Sequence, residues 1–264
     1  MQLRHRVALD GVQLDAVDDR IIIRKVETGE GKVNISTVGL PADGSRVTGM
    51  SRESIDVTVR FCIRIKKKGM ADREEVLEKV NAWAAKGGKL TVNYKAGRKV
   101  RVFLAQAAAA GDPWEWTKEY ALVFRACGVP YWQEDTGISV TKTGVSSSSF
   151  SMTIGGSARS VLDASFKNTS GSTVNTLTLS TPEASLSFTG LGLGNNETLE
   201  IDHEDNGKRC VPRIRIKNTS GVYRSALDKR SGSNDLYVSP GSRTITLTAG
   251  GSGNLTVTNC GRFA

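Results

Sequence analysis

Residues Ser54–Ile65 read SIDVTVRFCIRI, and their alternation decides the fold class. Ile55, Val57, Val59, Phe61, Ile63 and Ile65 fall on one side of an extended chain, and Asp56, Thr58, Arg60 and Arg64 on the other. A period of two in β-branched and aromatic residues predicts a strand with one buried face. A helix is predicted next in the chain. Met70–Lys86 carries Val76, Leu77, Val80, Trp83 and Ala84 at helical spacing. Asp72, Glu74 and Glu75 sit in its first turn, where the helix dipole favours acids. Gly87 and Gly88 supply a stop. Three further strands are predicted at Lys89–Tyr94, Lys99–Gln106 and Tyr120–Cys127.

Upstream, Ile21–Val26 predicts another strand. The 25 residues Glu27–Ser51 then connect it to Ser54–Ile65. That is long for a connection inside a compact domain. The stretch is Gly-rich, with Pro41 and the turn signal Asp43-Gly44, and reads as an extended hairpin or a functional arm. Trp114 and Trp116 alternate around Glu115, so both face one way. They are either core residues or, if that face is outward, anchors for another protein, since aromatics dominate interface hot spots.

Composition changes near residue 136. All 4 Trp precede that point, and the residues beyond it are largely Ser, Thr, Asn, Gly and Val. The stretch 137–157, GISVTKTGVSSSSFSMTIGGS, reads as a Ser/Thr/Gly-rich joint between a domain at 1–136 and a second at 158–264. Downstream, strands are predicted at Ser160–Asn168, Val174–Ser180, Ala184–Phe188, Glu197–Asp202, Arg209–Lys217, Leu236–Val238, Thr244–Ala249 and Asn254–Thr258. Turn signals separate them at short intervals, as in a sandwich or jelly roll. The expected fold is mostly β, with an α+β N-terminal domain holding one helix and an all-β C-terminal domain.

The net charge of +9 raises nucleic acid as a partner. Its distribution argues for ordinary surface solvation instead. Residues 1–135 hold 23 basic and 18 acidic side chains, and the remainder 13 and 9. A non-specific nucleic-acid binder stays as an alternative. So does a carbohydrate-binding sandwich module, although the second half has no Trp. The first residues, MQLRHRVALDGVQLD, lack the apolar core of a secretory signal. No apolar run is long enough to span a bilayer.

Catalytic and metal-binding patterns are absent. There is no phosphate-binding GxxxxGK[ST] and no GxSxG. The two histidines are His5 and His203. The cluster Asp202-His203-Glu204-Asp205 lies before Asn206-Gly207 and reads as a solvated turn rather than a Ca²⁺ or general-base site. Cys62, Cys127, Cys210 and Cys260 match no metal spacing and read as buried free thiols, with a Cys210–Cys260 bridge as the lesser option. No catalytic residue, cofactor or metal is expected.

Several segments, in order, resemble one family. They are the Asp43-Gly44 turn leading to Ile65, Phe124–Trp132 (FRACGVPYW), Gly192–Asp202 (GLGNNETLEID) and Leu236–Leu247 (LYVSPGSRTITL). Together they resemble the distal tail proteins of phages with long non-contractile tails. Ser242 and Arg243 depart from the Asn common after the Pro-Gly turn. The resemblance implies a structural protein at the distal end of a virion tail, assembled in the host cytoplasm. Its N-terminal domain would form a homohexameric ring, and its C-terminal sandwich would be galectin-like. Implied partners are the tail tube protein, the tape-measure protein, a tail-associated hub protein and, in some phages, a receptor-binding protein used in host attachment. DNA would be met only in transit through the channel. Leu40, Asp43, Gly44 and Arg46 in the long connection, with Trp114 and Trp116, are the candidate subunit-interface residues.

Overall fold

A computed structural model describes residues 5–29, 31–39, 45–64, 70–109 and 119–264. The protein is mostly β, with 63% of residues in strands and 10% in helices. It divides into two compact units, one of Met1–Trp132 with Asp205–Cys210, the other of Gln133–Glu204 with Val211–Ala264.

In the first unit the strands are β1 (Val7–Leu9), β2 (Val12–Gln13), β3 (Ile21–Thr28), β4 (Val33–Gly39), β5 (Ser45–Arg52), β6 (Ile55–Ile63), β7 (Gly88–Val92), β8 (Arg98–Gln106) and β9 (Tyr120–Ala126). A one-turn helix α1 (Leu14–Val17), unforeseen in the sequence, follows β2, and α2 spans Met70–Ala85. The main sheet runs β2-β1-β7-β8-β9-β6-β3. Strand β6 lies between β3 and β9, with Val59 opposite Val26 and Leu122. Its inward side chains Ile55, Val57, Val59 and Phe61 are buried, as the alternation requires, and Ile63 is half-buried at the end.

Helix α2 presents the face read from its spacing: Val76, Leu77, Val80, Trp83 and Ala84 are all buried. The Trp83 ring meets Phe124 of β9 edge-on at 6.0 Å, and its Nε1 donates to the Val12 carbonyl at 3.2 Å. The bulkiest apolar side chain of the helix thus keeps its polar atom paired while buried. Gly87 closes the helix at φ +59°, donating to the Ala84 carbonyl at 3.1 Å. A Cβ there would stand 2.9 Å from the Val102 carbonyl oxygen, so only glycine fits. Asp18, after α1, accepts from Arg20 at 2.7 and 2.8 Å, and the guanidinium holds its carboxyl well below the usual range.

Strand β10 (Trp132–Glu134) carries the chain into the second unit, which contains β11 (Ile138–Ile154), β12 (Ser160–Asn168), β13 (Val174–Ser180), β14 (Ser185–Leu193), β15 (Thr198–Asp205), β16 (Cys210–Lys217), β17 (Tyr223–Ser225), β18 (Arg230–Gly232), β19 (Tyr237–Val238), β20 (Gly241–Asn259) and β21 (Arg262–Phe263). Sheet order is β17-β16-β15-β12-β20-β13-β14-β18, with β11 along β20. Two sequence readings are corrected here. Residues 138–154, read as part of a joint, are a strand paired with β20 along its length. Its hydroxyls face solvent; Phe150, Met152 and Ile154 alternate into the core, and Val140 and Val145 pack against it half-buried. Thr244–Ala249 and Asn254–Thr258, read as two strands, are one. The four residues Gly250–Gly253 do not turn the chain back. They lie where β20 changes partner, from β13 at Thr246–Ala249 to β12 at Gly253–Asn259. Glycine allows that passage because backbones approach closely; a Cβ on Gly253 would lie 2.4 Å from the Phe166 ring.

The inward residues of this strand set form one apolar core, including Leu162, Phe166, Leu179, Phe188, Ile201, Ile216, Leu247 and Val257. At the Pro240-Gly241 turn, Arg243 donates to the carbonyls of Ser239 and Pro240 at 3.1 and 2.8 Å.

Candidate assembly interface

The 27–51 connection forms the hairpin β4–β5, a separate two-stranded sheet. Its base is fixed by backbone bonds from Gly29 N to Asp56 O (2.7 Å) and Glu53 N to Lys32 O (2.9 Å). Gly31 stands so close to Glu53 that a Cβ would come within 2.8 Å of its carbonyl oxygen. The Arg52 guanidinium lies 4.9 Å from the Tyr131 ring centre.

Register sets which side chains share a face. Val33 opposes Arg52, Ile35 opposes Met50, and Thr37 opposes Val47. Val33, Ile35 and Val47 therefore line one face. Val38, opposite Arg46, lies on the other. An irregularity between Ser36 and Thr37 leaves Thr48 to donate to the Ser36 carbonyl at 3.1 Å. Val33, Ile35, Val38 and Val47 are 50, 56, 57 and 52% exposed. A two-stranded ribbon is marginally stable alone, and this one points β-branched side chains into water. Such a device is suited to a second surface.

Of the six candidate interface residues, Arg46 is on β5 and exposed. Leu40, Asp43 and Gly44, and likewise Trp114 and Trp116, lie outside the described residues. The side chains that make the ribbon apolar, Val33, Ile35, Val38 and Val47, were not singled out from sequence. Their alternation about a polar, Gly-rich background was the available signal.

The Asp202–Asp205 cluster is not a turn but the end of β15. Asp202 accepts from Arg213 (3.0 and 3.1 Å) and Arg215 (3.2 Å). His203, nearly buried, lies between two carboxylates, with Nδ1 2.8 Å from Asp163 and Nε2 3.1 Å from Asp235. Burial opposes its charge, but the hydrogen bonds it donates to both acids prevail and push its pKa up to about 9. It is therefore a protonated clamp at neutral pH rather than a base. Among the described residues no group of three His, Cys, Asp or Glu is arranged to hold a metal ion.

The cysteine reading also changes. No disulfide joins any of the four, but Cys127 is exposed and the other three are half-buried, so none is a core thiol. The Cys127 and Gly128 amides both donate to the Gly207 carbonyl, at 2.7 and 3.1 Å, so residues from the β15–β16 turn complete the first unit.

The same fold occurs among solved structures of phage proteins. No protein-family model matches the sequence, and no curated protein matches it. Among solved structures, the chain is similar to the Dit protein of phage SPP1, described as a paradigm of the hub adsorption apparatus in phages that infect Gram-positive hosts. That likeness covers 97% of this chain and 98% of that one, at 14% identity and a TM-score of 0.66. A chain of the phage P2 baseplate, in its activated conformation with Ca, is similar over 100% of both chains at 6% identity and a TM-score of 0.50. At these identities what is shared is the fold, from one end of the chain to the other. No helix among the described residues is long and apolar enough to cross a membrane.

Proposed function

We propose that this chain is a structural distal tail protein, the tail-tip hub component of a long-tailed phage or prophage. The observation that carries the reading is the fold likeness to SPP1 Dit over 97% of this chain and 98% of that one. A partner domain or an enzyme that borrowed one module would match over one unit only. In this reading the first unit builds a homohexameric ring at the distal end of the virion tail, after synthesis in the host cytoplasm. The ring joins the tail tube to the tip apparatus. Its neighbours are the tube protein, the tape-measure protein and a tail-associated hub protein, with a receptor-binding protein in some assemblies. The second unit is a galectin-like sandwich on the outside. The protein catalyses no reaction, and DNA only passes through.

The β4–β5 ribbon supports the ring. A closed ring of identical subunits needs heterologous contacts, in which one surface of each copy meets a different surface of the next. A projecting ribbon with bare Val33, Ile35, Val38 and Val47 is one such surface. Covering the exposed halves of Val33, Ile35 and Val47, which share a face, is worth on the order of 2–4 kcal/mol per contact. Light scattering on the eluting full-length protein tests the reading. A species of about six times 28.3 kDa is expected, with rings in negative-stain micrographs. A strict monomer at every concentration would overturn it.

A further inference from the structure

The sheet of the first unit has a helical side and a bare side, and on each of them two like charges stand together without relief. On the bare side, register sets Lys89 of β7 directly opposite Arg101 of β8. Their neighbours Leu90, Val100 and Val102 are core residues, so alternation fixes both cations on the face away from α2. Like charges directly opposite one another weaken a sheet. Among the described residues neither cation has an ion-pair partner, and the Arg101 Nε is buried with no acceptor. Lys208 adds a third cation, 5.5 Å from the ring centre of Phe103, two residues along β8 from Arg101. The nearby acids are engaged by backbone: Asp10 accepts from the Lys89 amide at 2.9 Å, and Asp205 from the Gly207 amide at 2.8 Å. Farther across the sheet the cations are matched, Arg125 with Asp56, Arg60 with Glu27 and Glu119, and Lys25 with Glu27.

The helical side has the opposite sign. Val76, Leu77, Val80, Trp83 and Ala84 turn inward, which leaves Glu74, Glu75, Glu78 and Lys79 exposed. Lys79 is bonded to Glu75 and to Asp18. Glu74 and Glu78, one turn apart, have no ion-pair partner among the described residues. A like-charge pair at that spacing weakens a helix. Asp15 of α1 and Asp19 after it are exposed as well. The other cations of this part of the chain are Arg73, next to Glu74 in sequence, Lys86 beyond the helix end, and Arg64 with Lys66, Lys67 and Lys68 before its start, the last three outside the described residues.

We propose that these two surfaces meet between neighbouring copies, the Lys89–Arg101 pair of one subunit against the Glu74–Glu78 pair of the next. The contact joins two different surfaces, as a closed ring of identical subunits requires, and relieves both like-charge pairs at once. Complementary charge also sets orientation and speeds encounter. The inference rests on the ring proposed above and names a contact separate from the β4–β5 ribbon.

The test is light scattering on the full-length protein over a dilution series, at about 25 and about 300 mM salt. Wild-type assembly is expected to be about fivefold weaker or more at the higher salt, where exposed charges are screened. Lys89→Glu with Arg101→Glu should weaken assembly by about tenfold or more, and so should Glu74→Lys with Glu78→Lys, each with an unchanged circular dichroism spectrum. All four changes in one chain restore the attraction with its sign reversed, and should return assembly to within about threefold of wild type. If a reversal melts early, Lys89→Gln with Arg101→Gln replaces it, with a loss of about threefold expected. A wild-type ring that neither reversal weakens, or two reversals that fail to rescue each other, would overturn this inference and leave the ring standing. Wild-type protein that is monomeric at every concentration would remove the ring and this contact with it.

Discussion

The two units cover their apolar strands in different ways. In the second, strands cover strands, and Leu162, Phe166, Leu179, Phe188, Leu247 and Val257 are buried without any α-helix. In the first, α2 packs on the sheet at β9 through Trp83 and Phe124, while the β4–β5 ribbon is left bare. Strands β4 and β6 have similar side chains, β-branched residues at alternate positions. Val57 and Val59 are fully buried, whereas Val33 and Ile35 are half-exposed. The difference lies in what packs against each strand. Both units leave apolar side chains in water, Val222 and Leu227 of the second among them, but the first gathers four of them on one ribbon.

Substitutions can break that contrast. The largest effect is expected from Phe61→Ala in β6. It deletes a fully buried ring stacked 5.6 Å from Tyr120 and should cost about 3–5 kcal/mol in urea denaturation. Ile35→Asp with Val47→Asp in the ribbon should do the reverse. Subunit stability is expected to stay within about 0.5 kcal/mol, as for surface changes in general, while the assembly peak that the proposed ring calls for is lost on light scattering. An equal loss of stability from both sets would sink the comparison.

His203 sharpens the contrast by pH. Its folded pKa, about 9, is raised above the 6.5 of a free imidazole. The stabilisation is therefore fully present below pH 6.5 and disappears as pH rises through about 9. The loss is at most about 3 kcal/mol. Thermal melts between about pH 7 and 10 should show a falling midpoint, and His203→Gln should flatten the profile. The smallest effect is expected from Asp56→Asn, on the outer face of β6. It breaks the Asp56–Arg125 pair at 2.7 Å, but both side chains are well exposed and water screens them, so the urea midpoint should barely move.

Strands with one buried face were legible in the sequence. Val174–Ser180 and Ser160–Asn168 coincide with their predicted ranges because each alternates and ends at a turn signal. Strand β11 was not legible. Residues 138–149 face solvent on both sides or pack only partly, so their Ser, Thr and Gly look like a tether. Pairing with β20, about 100 residues distant in sequence, makes them a strand, and no local signal carries that. The β4–β5 ribbon was visible as an overlong connection. Its chemistry was not, because Val33, Ile35, Val38 and Val47 are commonplace residues whose exposure only the folded chain reveals. His203 was misread for the opposite reason. A polar cluster beside Asn206-Gly207 looks like a turn until Asp163 and Asp235 arrive from elsewhere in the chain.

The contribution of Asp205–Cys210 to the first unit has a consequence for synthesis. That unit is discontinuous in sequence, and the amides of Cys127 and Gly128 both donate to Gly207. A ribosome that has released the first 132 residues has not yet supplied everything the unit contains. Its last pieces arrive when translation reaches Cys210, well into the second unit's strands. Completion of the first unit thereby falls after much of the second has been made.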